Sequence, residues 1–242
     1  KVLINSILFD VEYKKQTKYP VLQQHFVGFF IKTKGSSFDN RAATFMDFTV
    51  AQKGNTRFMY ILPYSKNEAL FEYTLFSEDL LKYNEYKLEI EKYLESKNIT
   101  NYEIIDKEQG SIPMTCYNFW EKNSENIIHI GTAGGWSKAS TGFTFKNTTK
   151  KTAKLTNHLI QNRSLESFHK INKFWFYDLL LLDILYEKNH LGAELFSDLF
   201  KRTSAKKILK FLDEETSLYE DLQLILRMPP KNFIRALFKR IF

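Results

Sequence analysis

The chain has 242 residues, 43% apolar and 16% aromatic with 22 Phe, and a formal net charge of +7, which allows one large domain or two small ones with a sizeable core. Its single cysteine, Cys116, excludes an internal disulfide and fits a reducing compartment. No nucleic-acid-binding signature is present, and the longest apolar run, 174–185, is too short to span a membrane and contains Asp178 and Asp183.

Val2–Phe9 has the pattern of a strand and ends at Asp10. Pro20–Thr33 is a longer strand, in which Gly28 marks a bulge or the close approach of a ligand or backbone. His25 reads as a strand histidine bonded to its neighbours. After a polar loop, Ala43–Val50 is a strand with Asp47 set between Met46 and Phe48, which points to a hydrogen-bonded structural carboxylate before a site residue. Arg57–Pro63 and Ala69–Phe76 pair as a hairpin around 64–68. Alternation puts Leu70, Glu72, Thr74 and Phe76 on one face and Phe71, Tyr73 and Leu75 on the other. Glu72 then has apolar and aromatic neighbours. Poor solvation there raises a carboxyl pKa toward neutrality, as a general acid requires; the plainer alternative is a solvated Glu on an open strand face. Glu78–Lys97 is a helix capped by Ser77, and Tyr102–Asp106 is a strand. In Glu108–Met114, Gly110 and Pro113 read as turn residues, with Glu108 either orienting a ligand or capping the turn.

The stretch Asn126–Phe145 organises the second half of the chain. Ile127, Ile128 and Ile130 signal a short buried strand, and Gly131, Gly134 and Gly135 permit a sharp turn. Ser140 or Thr141 suits the N-cap of a helix over 143–161. Such a turn is either a phosphate cradle at a helix N-terminus or an ordinary strand-to-helix connection. The rest reads as helical, roughly 168–188, 192–202, 204–212 and 218–228, with a tail. The charge excess lies in this half: 17 basic and 17 acidic residues up to 145, but 18 and 11 after it. In the tail, Pro229 and Pro230 precede Phe233, Ile234, Leu237, Phe238, Ile241 and Phe242 at helical spacing, with Lys231, Arg235, Lys239 and Arg240 largely off that face. This predicts a helix lying in a membrane interface; docking on the protein's own core is the alternative.

Taken together, these stretches resemble the lycopene cyclase family. Gly131-Thr132-Ala133-Gly134-Gly135 and Ser140-Thr141-Gly142-Phe143-Thr144-Phe145 are similar to its second flavin-binding segment, with Ala139 in place of a proline and Phe143 in place of a tyrosine. Gln24-His25-Phe26-Val27-Gly28, Met46-Asp47-Phe48, Phe58 to Pro63, Phe71-Glu72-Tyr73-Thr74 and Glu108 to Met114 resemble further motifs in the same order, over about residues 1–160.

The resemblance implies an α+β fold: an antiparallel substrate-binding sheet with packed helices (1–125), a flavin-contacting strand-turn-helix (126–161) and a helical C-terminal subdomain (162–242), as in flavin-dependent hydroxylases. No G-x-G-x-x-G occurs, so the nucleotide-binding half is expected to precede Lys1 and the chain alone to be inactive. The implied reaction is redox-neutral cyclisation of the linear ends of lycopene, or a similar carotenoid, to β-ionone rings. An acid protonates a terminal C=C, an internal double bond attacks the cation, and a base removes a ring proton. Reduced FAD supplies negative charge to the site, with NAD(P)H as its reductant. Glu72 is the expected acid and Glu108 the second carboxylate retained; relatives have another acid where Tyr73 stands. Gly131, Thr132, Ala133, Gly134, Gly135, Ser140, Thr141 and Gly142 would bind the flavin. Met46, Asp47, Phe48, Tyr73, Pro113 and Met114 would line the substrate, and no metal is expected. The implied location is cytoplasmic with peripheral membrane association. Alternatives are a geranylgeranyl-reductase-like or hydroxylase-like flavin oxidoreductase, and a non-catalytic fragment that binds polyisoprenoid.

Overall fold

A computed structural model describes residues 1–8, 11–228 and 230–241. In chain order its elements are β1 (Leu3–Asn5), α1 (Glu12–Lys15), β2 (Leu22–Thr33), β3 (Thr44–Asp47), β4 (Arg57–Pro63), β5 (Glu68–Ser77), α2 (Tyr83–Ser96), β6 (Tyr102–Met114), β7 (Ile127–His129), α3 (Phe145–Ile160), α4 (Lys173–Glu187), α5 (Gly192–Arg202), α6 (Ala205–Leu212), α7 (Leu218–Ile225) and α8 (Pro230–Ile241). They form two units, one of residues 23–112 with 188–197, the other of the remaining described residues. These units do not coincide with divisions at 125 and 161. The chain returns to the sheet unit at 188–197, where Asn189 accepts from the Thr56 N–H (2.7 Å) and donates to the Phe76 carbonyl (3.0 Å). A Cβ at Gly192 would lie 1.8 Å from the Thr56 hydroxyl, so only glycine fits that return.

The sheet unit is built on five strands in the order β3-β4-β5-β2-β6. The β4–β5 hairpin forms as its alternation predicts, antiparallel from Arg57↔Leu75 to Pro63↔Ala69. Val27, Phe29, Ile31, Met59, Phe71, Tyr73 and Leu75 pack with Tyr86, Ile90, Tyr93 and Leu94 of α2. That face is the core, and each large apolar side chain buried in it contributes about 1.5–3 kcal/mol.

Two local expectations are corrected. Helix α2 starts at Tyr83, not near Glu78, and Ser77 is not its cap. The Ser77 hydroxyl is bonded to His25 Nε2 (2.7 Å) and donates to the Asp79 carbonyl (2.6 Å), while Glu85 accepts from the Lys82 N–H (2.9 Å) and starts the helix there. Strand β6 runs unbroken through Gly110 and Pro113, so neither is a turn residue and Glu108 caps no turn. Gly110 leaves room for the Phe26 ring, which a Cβ would meet at 2.6 Å. Pro113 is tolerated because β6 is an edge strand.

His25 is fully buried, with Nδ1 bonded to the Tyr86 hydroxyl at 2.5 Å, which makes it a structural histidine tying β2 to α2. Burial first, and the Arg57 charge after it, push its pKa down to about 4 from 6.5. Between those two pH values the unfolded chain binds a proton at this site that the folded chain does not. Stability is therefore expected to fall as pH drops through that window. In His25→Gln, urea unfolding should show a flatter pH dependence over it, by on the order of 2 kcal/mol. Parallel slopes for parent and variant would remove His25 from this role.

In the other unit, β1 and β7 pair in parallel, Leu3↔Ile127 to Asn5↔His129. The predicted first strand is thus shorter than Val2–Phe9, and its end at Phe9 and Asp10 lies outside the described residues. Helix α8 packs on α4, with Phe233 and Ala236 buried. Arg240 binds Asp183 through Nε and Nη2 (both 2.6 Å), and Lys239 binds Glu187 (2.7 Å). Lys231, Arg235 and Lys239 stay solvated as the predicted basic face, and Arg240 alone of the four departs from it. Asp183 on α4 draws Arg240 inward, while Lys239 pairs Glu187 at the surface and Ile234 and Ile241 are exposed. Pro229 and Phe242 of that tail lie outside the described residues. No described helix is long and apolar enough to cross a membrane.

Candidate active site

The sheet face turned away from α2 carries the even-numbered residues of β2, β4 and β5. Register sets Glu72 between Gly28 on β2 and Tyr60 on β4. Glu108 leans across from β6, within hydrogen-bonding reach of the Glu72 carboxyl. The Thr74 hydroxyl donates to Glu72 Oε1 at 2.5 Å. Burial pushes the Glu72 pKa up to about 7; Thr74 opposes this, and the charge and hydrogen bond of Glu108 add to it. The phenols are also raised, Tyr60 by burial and then by both carboxylates, Tyr64 by burial and then by Glu108. Phe30 stacks on Tyr64 (5.9 Å), and Phe45 meets Tyr60 edge-on (6.5 Å). Glu72 is therefore not a solvated strand residue. It is one of two carboxyls on an aromatic face, and it holds its proton near neutral pH.

Tyr73, expected beside the substrate, points the other way. It is fully buried against α2, and Arg57 Nη1 donates to its hydroxyl (3.2 Å). Adjacent residues of a strand face opposite sides. The second acid beside Glu72 comes instead from another strand, as Glu108. Asp47 accepts from the Tyr93 hydroxyl (2.5 Å) and the Thr49 N–H (2.9 Å), with Lys97 at 3.6 Å, so its bonds run to α2. Met46 is half-buried, and Phe48 packs on Phe58 (5.9 Å) and Phe196 (6.4 Å). Pro113 and Met114 belong to the other unit, Met114 fully buried. Sequence reading missed the Glu72–Glu108 pairing and the part played by Thr74. The sequence clue to the pairing was a glycine in mid-strand at position 28.

In the other unit, β7 leads into a single 3-10 turn, Gly131–Gly134. Gly131, Gly135 and Gly142 have φ of +59°, +65° and +67°, which favours glycine. A Cβ at Gly134 would lie 2.0 Å from the His129 carbonyl oxygen. Neither Ser140 nor Thr141 caps α3, which starts at Phe145. Ser140 donates to the buried Asp178 carboxylate (2.7 Å), which Lys138 also pairs (2.8 Å), so its hydroxyl serves the interior. The Thr141 hydroxyl is buried without a partner among the described residues. A cleft of about 700 Å³ adjoins the turn, lined among others by Thr132, Gly135, Ser137, Lys138, Lys151 and Lys154. Burial pushes the Lys151 pKa down to about 8, and its amine donates to the Gly135 carbonyl at 3.4 Å.

This segment fits the diphosphate of a flavin dinucleotide in its donor chemistry. Nothing lies within 4 Å of the position of a Cβ at Gly131, so a ligand can approach that backbone. A buried unpartnered hydroxyl and lysine ammonium groups suit an anion. Thr132 and Gly135, which line the cleft with Lys151, could hold it, together with the open backbone at Gly131.

The family described as lycopene cyclase protein matches residues 7–238. The crystal structure of a geranylgeranyl bacteriochlorophyll reductase-like protein from Thermoplasma acidophilum is similar to the whole chain, at TM-score 0.51 and 13% identity. The chain spans 62% of that structure, and the likeness concerns fold, a mixed α/β architecture with an antiparallel sheet and helices. A tetracycline destructase aligns over 89% of this chain and 56% of its own, at 14% identity and TM-score 0.37. No curated protein matches the chain at a significant level.

Proposed function

The chain belongs to the lycopene cyclase family, and from that premise we propose that it serves the cyclisation of the linear ends of lycopene, or a similar carotenoid, to β-ionone rings with Glu72 as the acid. The observation that carries this reading is a carboxyl on an aromatic sheet face that keeps its proton to about pH 7. A C=C is a very weak base, so its protonation needs an acid held neutral and shielded from water. Glu72 gives its proton to the less substituted carbon of the terminal C=C, leaving a tertiary cation that an electron pair of an internal double bond attacks to close the ring. A proton then leaves a ring carbon for the Glu72–Glu108 pair. One proton enters and one leaves, so nothing is oxidised or reduced. Tyr60, Phe30 and Tyr64 offer π faces on which a cationic intermediate is stabilised. Reduced FAD, when bound, would supply negative charge that favours a cationic intermediate, with NAD(P)H as the reductant that keeps it reduced. The glycine turn would hold the FAD diphosphate. Peripheral contact with a membrane, through exposed Ile234 and Ile241, accords with a bilayer-dissolved substrate.

A rival reading is a flavin reductase acting on a polyisoprenoid, favoured by the fold likeness alone. Product analysis separates the two. We expect a cyclised polyene with no net consumption of NAD(P)H. A product with a saturated double bond, formed one for one with NAD(P)H oxidised, would overturn the cyclase reading.

A further inference from the structure

We propose that Gly28 is a positioning residue of this site: the missing side chain leaves the notch through which Glu108 reaches Glu72. The inference rests on the reading of Glu72 as the acid. Gly28 is buried in the middle of β2, paired with Glu72 on β5. Glycine weakens a strand interior, so its presence there needs a reason. Backbone conformation is not that reason, because Gly28 does not have a positive φ. Space is. A Cβ at position 28 would stand 2.8 Å from Glu108 Cγ, 3.0 Å from Glu108 Oε1 and 2.8 Å from Leu70 Cδ1. Leu70 meets it with the tip of a flexible side chain, which can change rotamer. Glu108 meets it with both stem and head group, so it must leave the notch.

Withdrawal of Glu108 takes away a hydrogen bond and a like charge, both of which favour the protonated form of Glu72. The Thr74 hydroxyl would remain, and it favours the ionised form. The other titratable groups facing the pair are Tyr60 on β4 and Tyr64 in the β4–β5 turn. Gly28 thus decides whether Glu72 stands beside a second carboxyl or alone.

The test is an infrared titration of the Glu72 carboxyl in the 242-residue chain, its band assigned by loss in Glu72→Gln. The midpoint near 7 should fall by at least about one pH unit in Gly28→Ala. Glu108→Ala should give a similar fall, and adding Gly28→Ala to it should change nothing more, because its target is already gone. A folded Gly28→Ala with the parent midpoint would overturn the inference. Should Gly28→Ala not fold, Gly28→Ala with Leu70→Ala relieves the second contact, and an unchanged midpoint in that protein has the same consequence. None of these titrations needs flavin or substrate. A failure of the cyclase reading would appear only in product assays, and a failure of this inference only in the titrations.

Discussion

Glu72→Gln is expected to slow cyclisation by the flavin-loaded enzyme at least a hundredfold, in the range of about 10²–10⁴ typical of a lost general acid, while flavin affinity stays unchanged. The amide keeps the size of the side chain and has no proton of the needed acidity. Burial holds the parent carboxyl protonated to about pH 7, so the parent rate should fall as pH rises through that value. Flavin affinity should survive because the glycine turn belongs to the other unit. The measurements are a single-turnover rate for polyene cyclisation and a flavin titration on the same preparation. A variant that keeps more than about a tenth of the rate has lost less than ~1.4 kcal/mol of transition-state stabilisation, and Glu72 would then not be the acid. Loss of flavin binding alongside the rate would point to damaged structure instead.

Lys138→Met is expected to cost about 3–5 kcal/mol of stability, a large part of what a domain of this kind has. Its ammonium lies 2.8 Å from Asp178, with the two side chains 0% and 5% exposed. It also lies 5.5 and 5.2 Å above the rings of Phe174 and Phe211. Burial raises the Asp178 pKa, and Lys138 followed by Ser140 counter it. Without the lysine, the buried carboxylate keeps one hydroxyl donor, Ser140. Urea unfolding should show the loss, and Lys138→Met combined with Asp178→Leu should recover most of it, since that pair removes both charges. A single variant within about 1 kcal/mol of the parent would mean that the interior resolvates Asp178. This bond also bears on the flavin segment. Ser140, expected to face the cofactor, is bonded to Asp178, and the same carboxylate fixes Lys138 within the turn.

Features set by local rules were legible in the chain itself. Period-2 alternation in β4 and β5 was enough to put Glu72 on the face opposite Phe71, Tyr73 and Leu75. Gly131, Gly134 and Gly135 marked the turn after β7, the first and last because their positive φ excludes most other residues and Gly134 because a Cβ would meet the His129 carbonyl. The tail helix was legible from its spacing. What it packs against was not, since Asp183 and Glu187 on α4 decide which way Lys239 and Arg240 turn. Gly110 and Pro113 are turn residues by local preference, yet both lie in β6. The Phe26 ring needs the glycine's space, and an edge strand needs no donor from the proline. The candidate site depends most on such long-range placement. Glu72 lies on β5 and Glu108 on β6, and strand order places β2 between them with Gly28 at the crossing point. A local window shows residue type, periodicity and turn preference. Which strands become neighbours, and so which carboxyls share a proton, is decided by the register and packing of segments far apart in the chain.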